Sequence, residues 1–204
     1  MVDMVSGGRR PACTILRRVN AIGVRWPGYA AAVWGLLFAV PSFLWALGGT
    51  VGAQTTVSPS LVKLAQDRVT WFVVVLWATG VLKLIGALVG LGLTRRWGTA
   101  TGRLLVCCGW GAAVLLVWHG LLFVIGGVLV ESGVVAVDPA LRTISRWYLY
   151  LWGPWFVLGG LAFGAAAWVY VRTSADRRGG RVAGWVGGLG ALGVSVIALL
   201  GGIG

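Results

Sequence analysis

The chain has 204 residues, of which 58% are hydrophobic and 11% charged, and its formal net charge is +12. A soluble domain carries about 25% charged residues because its surface faces water, so the composition excludes a soluble globular domain. The 17 Lys and Arg residues form short clusters at the ends of apolar runs, a pattern that marks one side of a membrane and argues against nucleic-acid binding.

Residues 1–28 contain five arginines interrupted by Gly and Pro, and we expect them to form a basic cytoplasmic segment. The first apolar run covers residues 29–53 and ends in Val51-Gly52-Ala53, which meets the small-residue rule for signal cleavage. A run of this length exceeds the apolar core of a signal peptide, so we favour a retained transmembrane helix.

Four further apolar runs follow, at residues 69–94, 104–130, 147–171 and 182–204. Each reaches the roughly 20 residues that cross a bilayer as a helix, and continuous runs of this length in lipid indicate helices rather than barrel strands. The sequence therefore predicts an all-α membrane protein with five transmembrane helices. We expect a four-helix core at residues 29–171, then a basic cytoplasmic loop and a Gly-rich fifth helix at residues 172–204.

The distribution of Lys and Arg predicts the orientation. Twelve lie in the N-terminal segment and in the loops 95–103 and 172–181, whereas four lie in the two loops on the other side. The positive-inside rule then predicts a multi-pass protein of the cell membrane, with the N-terminus in the cytoplasm and the C-terminus outside.

Two short patterns indicate an internal duplication. WGLLF at residues 34–38 matches WHGLLF at residues 118–123, and WFV occurs at both 71–73 and 155–157. Helices one and two would then correspond to helices three and four as a 2+2 parallel repeat about an axis along the membrane normal.

Glycine is abundant, with 34 residues, and forms several G-x-x-x-G pairs that let helices approach closely in lipid. These pairs are Gly48/Gly52, Gly86/Gly90, Gly160/Gly164 and Gly184/Gly188. We expect the glycine-rich fifth helix to pack against the bundle, a membrane-protein partner or a second copy of the chain.

Two bases near the membrane midplane form the candidate intramembrane polar site, Lys83 in the second run and His119 in the third. Charged groups at this depth are costly and often functional. Four alternatives are open for Lys83: it is neutral, it extends toward the membrane interface, it contacts backbone carbonyls, or it meets an anionic ligand. His119 is expected to donate to a carbonyl on a neighbouring helix. A single histidine suits neither a haem nor a zinc site, so we predict no metal and no cofactor.

Five tryptophans within the runs are candidate pocket-lining residues, unless they merely fill gaps beside glycines: Trp45, Trp77, Trp118, Trp152 and Trp155. Pro41 and Pro154 each remove a backbone donor and are expected to kink their helices. The kinks would open a pocket toward the outer leaflet, with Lys83 and His119 at its floor.

The two outer loops hold a second candidate set of charged residues, which are solvated, paired between the loops, or functional: Asp67, Arg68, Glu131, Asp138, Arg142 and Arg146. The chain contains no H-E-x-x-H, P-loop or G-x-S-x-G motif, so no catalytic residue is assigned.

Two segments, WGLLFAVPSFLWALGGTVG at 34–52 and LYLWGPWFVLGGLAFG at 149–164, carry a family resemblance. With their WALGG and PWF-x-LGG motifs, they resemble a bacterial family of small integral membrane proteins that is catalogued as a domain of unknown function. The resemblance covers about residues 29–171. It implies a compact helical membrane core and supplies neither an activity nor catalytic residues.

These observations favour a non-enzymatic protein, either a helper subunit or a binder of a small apolar or anionic molecule within the helix bundle. Two alternatives stay open. One is a membrane-embedded enzyme for a lipid or isoprenoid, with His119 as acid/base and Lys83 stabilising negative charge. The other is a small transporter that acts as an oligomer.

Overall fold

The computed structural model describes the backbone of residues 11–201 and the side chains of residues 25–201, apart from those at 54, 59 and 140. All regular structure in this part of the chain is helical. The helices are α1 (Pro11–Ala46), α2 (Pro59–Gln66), α3 (Thr70–Gly92), α4 (Thr99–Glu131), α5 (Pro139–Trp147), α6 (Gly153–Thr173) and α7 (Arg177–Leu200).

Five segments are long and apolar enough to cross a membrane, which confirms the predicted class and the predicted number of spans. They are Arg25–Ala46, Thr70–Gly92, Thr99–Glu131, Leu141–Thr173 and Arg177–Leu200. The loops around residues 93–98 and 174–176 define what we call the arginine-rich side, and the loops around residues 47–69 and 132–138 define the opposite side.

The ends of α1 differ from the predicted run. α1 stops at Ala46, because Gly48 and Gly52 turn the chain with positive φ angles of 99° and 74°, which glycine adopts readily. Interpreting these two glycines as a helix-packing pair was therefore wrong. At its other end α1 begins at Pro11, so residues 11–28 of the predicted basic segment are helical, and residues 1–10 lie outside the described part.

The first four spans form two helical hairpins. In the first, α1 packs along α3, where a Cβ atom built on Gly35 would lie 3.0 Å from the backbone nitrogen of Ala87. In the second, α4 packs along α6, where a Cβ atom on Gly160 would lie 2.8 Å from the carbonyl oxygen of Ala113. Two such hairpins are what a 2+2 repeat requires, and the repeat itself stays a prediction.

The two hairpins join through α1 and α6, where the indole of Trp34 lies directly over Gly159. The fifth span, α7, packs on the side of α4: Gly187 sits against the backbone of Cys107, and Gly184 accommodates the ring of Trp110. The glycines of α7 thus allow close approach to α4, as its composition predicted.

Pro154 does not break its span. The preceding residues Tyr148–Trp152 form a π-helical turn, and the backbone N–H of Gly153 donates to the carbonyl oxygen of Tyr148, five residues earlier. The wider hydrogen-bond spacing of this turn lets the helix continue although Pro154 has no backbone N–H. As a result, α5, the π-helical turn and α6 follow each other without a loop. Likewise, α1 continues through Pro41.

Three aromatic side chains hold the loop after α1 in place. The indole N–H of Trp45 donates to the carbonyl oxygen of Val51 at 2.9 Å, and that of Trp152 donates to Thr55 at 2.9 Å. The hydroxyl of Tyr148 donates to the carbonyl oxygen of Thr56. The span that contains α6 therefore fixes the loop of the first hairpin.

We predict that Trp152→Phe will loosen this loop while preserving the fold. The variant retains an aromatic ring near Phe38 but loses a hydrogen bond, which is worth about 1 kcal/mol or roughly a fivefold change in opening. Limited proteolysis with proteinase K should cleave residues 51–58 about fivefold faster. Trp185→Phe, at a position that is 70% exposed on α7, is the control, and equal cleavage in both variants would contradict the prediction.

Candidate functional site

Lys83 of α3 points into the interface with α1. Its Nζ donates a hydrogen bond of 2.8 Å to the hydroxyl of Ser42, which is 3% exposed, and lies 3.7 Å from the ring centroid of Phe38. Phe38 and Ser42 are one helical turn apart and so share one face of α1. The ammonium is thus held by a neutral hydroxyl and an aromatic face, and no carboxylate is among its described partners.

The aromatic ring beneath Lys83 begins a row that reaches α4. The centroid of Phe38 lies 5.0 Å from that of Phe156 on α6, which lies 5.5 Å from that of Phe123 on α4. Phe38 also contacts Trp34, with centroids 5.0 Å apart. This row connects the two hairpins at the level of Lys83.

A second buried donor lies beside the same rings. Trp155 stacks on Trp34 with centroids 5.8 Å apart, and the indole of Trp34 donates to the backbone oxygen of Trp155 at 2.9 Å. The indole N–H of Trp155 is itself buried and has no hydrogen-bond partner. We refer to Lys83, Ser42, Phe38, Trp34 and Trp155 as the Lys83 centre. It is rich in donors and poor in acceptors.

His119 is held differently from the prediction. Its Nδ1 lies 2.9 Å from the carbonyl oxygen of Leu115, one turn earlier in α4, rather than from a carbonyl of a neighbouring helix. His119 is also one turn from Phe123, so it lies at the depth of the aromatic row. In the described part of the chain no hydrogen bond or ring contact joins Lys83 and His119, whose hydrogen-bond partners are separate.

The structure distributes the five candidate tryptophans over several clusters. Trp152 and Trp155 lie near the Lys83 centre, through contacts with Phe38 and Trp34. Trp45 belongs to the cluster beneath the loop after α1, and Trp77 contacts Phe43 with centroids 5.3 Å apart. Trp118 is half-buried on α4. Described contacts do not unite all five around one cavity.

Three of the charged residues on the opposite side, Arg68, Glu131 and Arg146, have structural partners. Arg146 forms two hydrogen bonds to the carboxylate of Glu131, of 2.8 and 3.3 Å, so the pair closes one loop rather than linking two. Arg68 donates to the carbonyl oxygen of Leu47 at 3.3 Å. Asp67 directly follows α2, and Asp138 and Arg142 lie at the start of α5.

An ion pair on the arginine-rich side was not anticipated. Arg103 of α4 contacts Asp176, the residue that precedes α7, at 2.7 Å. The hydrogen bond from Arg103, followed by that from the Gly179 backbone N–H, lowers the pKa of the Asp176 carboxyl. This exposed pair fixes the start of α7 relative to α4.

Ser42, Phe38 and Trp34 are the site residues that sequence reasoning missed. One signal was present for Ser42, which is the single Ser or Thr between residues 29 and 46 of an otherwise apolar helix. A buried hydroxyl in such a helix needs a polar partner, and Lys83 is the cation on the adjoining helix.

Five apolar spans and a bundle joined by an aromatic row define a helical multi-pass membrane protein. The sequence profile of the family described as "Protein of unknown function (DUF3995)" matches residues 35–163, well over half of the chain. The chain belongs to this family, which confirms the resemblance, and the match runs from α1 into α6 and excludes α7. No curated protein and no solved structure matches the chain.

Proposed function

We propose that the protein is a non-enzymatic membrane protein that binds a small amphipathic molecule through an anionic group at the Lys83 centre. The observation that carries the proposal is the ammonium of Lys83, half-buried at mid-membrane depth with Ser42 and a phenyl ring as its described partners. A lysine at a helix centre costs about 2.5–3.5 kcal/mol on insertion scales. An anionic group would add a charged acceptor, which neither the Ser42 hydroxyl nor the phenyl ring supplies.

The hydrogen-bonding inventory of the centre supports an acceptor-bearing ligand. An ammonium has three donors, and Ser42 accepts one of them. The indole N–H of Trp155 is a further buried donor without an acceptor. A carboxylate or phosphate supplies several acceptor sites at once.

Access from the lipid is supported by the arrangement of α3 and α4. Their described glycine contacts lie near the arginine-rich side, where a Cβ atom built on Gly92 would be 2.8 Å from Leu105 and one on Gly109 would be 3.0 Å from Leu93. Nearer the opposite side, the hairpins are linked by α1 and the span that contains α6, through the contact of Phe38 with Trp152, whose indole also donates to Thr55. An amphiphile would enter between α3 and α4.

The proposal includes the cell membrane as location, with the arginine-rich side in the cytoplasm, on the support of twelve cations against four. Association with a helper partner or a second copy would use the face of α7 around Gly190 and Gly193, where a Cβ atom would meet no atom within 4 Å. The enzyme alternative gains no support, because Lys83 and His119 have separate partners.

The proposal is tested with oleate and the neutral oleyl alcohol, added to the purified protein and measured by native mass spectrometry. Oleate should bind at least tenfold more tightly than the alcohol, and Lys83→Met should abolish that difference. Lys63→Met is the matched control, because the chain has two lysines and Lys63 is exposed on α2. If Lys83→Met retains the preference for oleate, the proposal is wrong.

A further inference from the structure

A groove between α6 and α7 forms a cavity whose lining contains none of the residues of the Lys83 centre. Its volume is about 550 Å³, and α4 forms its floor. Three indoles line it, those of Trp110, Trp168 and Trp185, together with Leu189 and Leu192. Trp168 and Trp185 remain 46% and 70% exposed, so the groove opens sideways toward the lipid.

Glycines give the groove its depth. A Cβ atom built on Gly184 would lie 2.7 Å from the ring of Trp110, and one on Gly188 would lie 3.4 Å from Val114. Without side chains at these two positions, α7 approaches α4 closely and leaves a furrow beside it.

Two arginines stand at one end of the groove. α6 and α7 meet on the arginine-rich side, where a Cβ atom on Gly180 would lie 3.2 Å from Val171. Arg172 and Arg181 directly follow these two residues, and both line the groove with exposed side chains. The guanidinium of Arg172 lies 4.2 Å from the ring centroid of Trp168.

The charge of this end is not neutralised by the described residues. Among the described residues, Arg103 pairs with Asp176 on this side and Arg146 pairs with Glu131 on the opposite side, and neither ion pair includes Arg172 or Arg181. A pair of guanidinium groups matches a phosphate, which they bind through paired N–H donors. Charge complementarity therefore selects an anionic headgroup.

The length of the groove matches one leaflet. From Arg181 to Leu192 is a run of α7 that rises about 16 Å at 1.5 Å per residue. One leaflet contributes about half of the roughly 30 Å hydrocarbon core. A headgroup at the arginines would thus place an acyl chain along the indoles and leucines, ending near the bilayer centre.

We propose that this groove binds one anionic phospholipid from the leaflet on the arginine-rich side. Its phosphate contacts Arg172 and Arg181, and one acyl chain lies between α6 and α7 over Trp110. The site is independent of the ligand proposed for Lys83, and it anchors α7 to the family core that ends within α6.

The test titrates the full-length protein in detergent with phosphatidylglycerol or phosphatidylcholine of identical acyl chains, with native mass spectrometry as readout. One phosphatidylglycerol should bind to the wild type. Its affinity should be about 30-fold higher than for the variant Arg172→Gln/Arg181→Gln, as expected for two cations near a headgroup. Phosphatidylcholine should bind both proteins equally weakly. Lys83→Met should leave phosphatidylglycerol binding unchanged.

The matched control is Arg177→Gln/Arg178→Gln, which removes the same charge from two exposed arginines that do not line the groove. It should retain the affinity of the wild type. A second variant, Gly188→Leu, narrows the furrow and should weaken phosphatidylglycerol binding although both arginines remain.

Three results would overturn the proposal. The first is equal affinity of the wild type and Arg172→Gln/Arg181→Gln. The second is an equal loss in the control variant, which would indicate general charge attraction. The third is a dimer, found by mass, in which cross-links from the variant Leu189→Cys show that a second copy occupies the groove.

Discussion

Gly90→Val will separate α1 from α3 and lower the melting temperature by about 2–12 °C. A Cβ atom at position 90 would lie 2.8 Å from the backbone nitrogen of Ala32 and 3.0 Å from the carbonyl oxygen of Gly28. Backbone atoms cannot rotate away as a flexible side chain can. Overpacking costs about 1–3 kcal/mol, and each kcal/mol is worth about 2–4 °C in a chain of this length. Thermal melting followed by tryptophan fluorescence in one detergent measures the change.

Gly126→Val is the matched control for this experiment. Gly126 also lies within a transmembrane helix, α4, but a Cβ atom there would meet no atom within 4 Å. The same side chain is added in both variants, so the difference between them isolates the contact of α1 with α3. Equal melting temperatures would show that these helices do not approach each other at Gly90.

The number of spans could be predicted from the sequence because each apolar run is long enough to cross a bilayer by itself. The short helices could not. α2 and α5 have 8 and 9 residues and are partly polar, so no hydropathy criterion separates them from loops. The end of α1 at Ala46 was also hidden, since the apolar run continues to Ala53 while the glycines at 48 and 52 turn the chain.

For the candidate site, the depth of the residues in the membrane could be predicted from the sequence, but the directions of their side chains could not. Depth along a helix follows from residue number, so Lys83 and His119 could be assigned to the same level. The direction in which a side chain points depends on the rotation of its helix, and α3 and α4 are apolar on all sides, which leaves no amphipathic signal. Close contacts such as Gly80 against Phe43 set that rotation and turn Lys83 toward Ser42.

Lys83→Met will leave the melting temperature nearly unchanged, whereas Ser42→Ala will lower it. The hydrogen bond from a charged donor is worth about 1.5–3 kcal/mol and the contact with Phe38 about 0.5–2 kcal/mol. Together they roughly balance the cost of about 2.5–3.5 kcal/mol for a lysine at this depth. Removing Lys83 removes both contributions, but removing the Ser42 hydroxyl leaves the cation without its acceptor.

The double variant Lys83→Met/Ser42→Ala tests this balance as a thermodynamic cycle. Ser42→Ala should cost about 1.5–3 kcal/mol in the presence of Lys83 and less than about 1 kcal/mol in its absence. Ser195→Ala is the control: this buried serine donates to Ala191 of its own helix at 2.8 Å, so its effect should be independent of Lys83.

Additive effects of the Lys83 and Ser42 substitutions would show that the two side chains do not interact. Coupling, together with a Lys83→Met variant as stable as the wild type, leads to a stronger conclusion. The ammonium then contributes no net stability to the fold, and a loss of oleate binding in that variant reports the missing charge rather than unfolding.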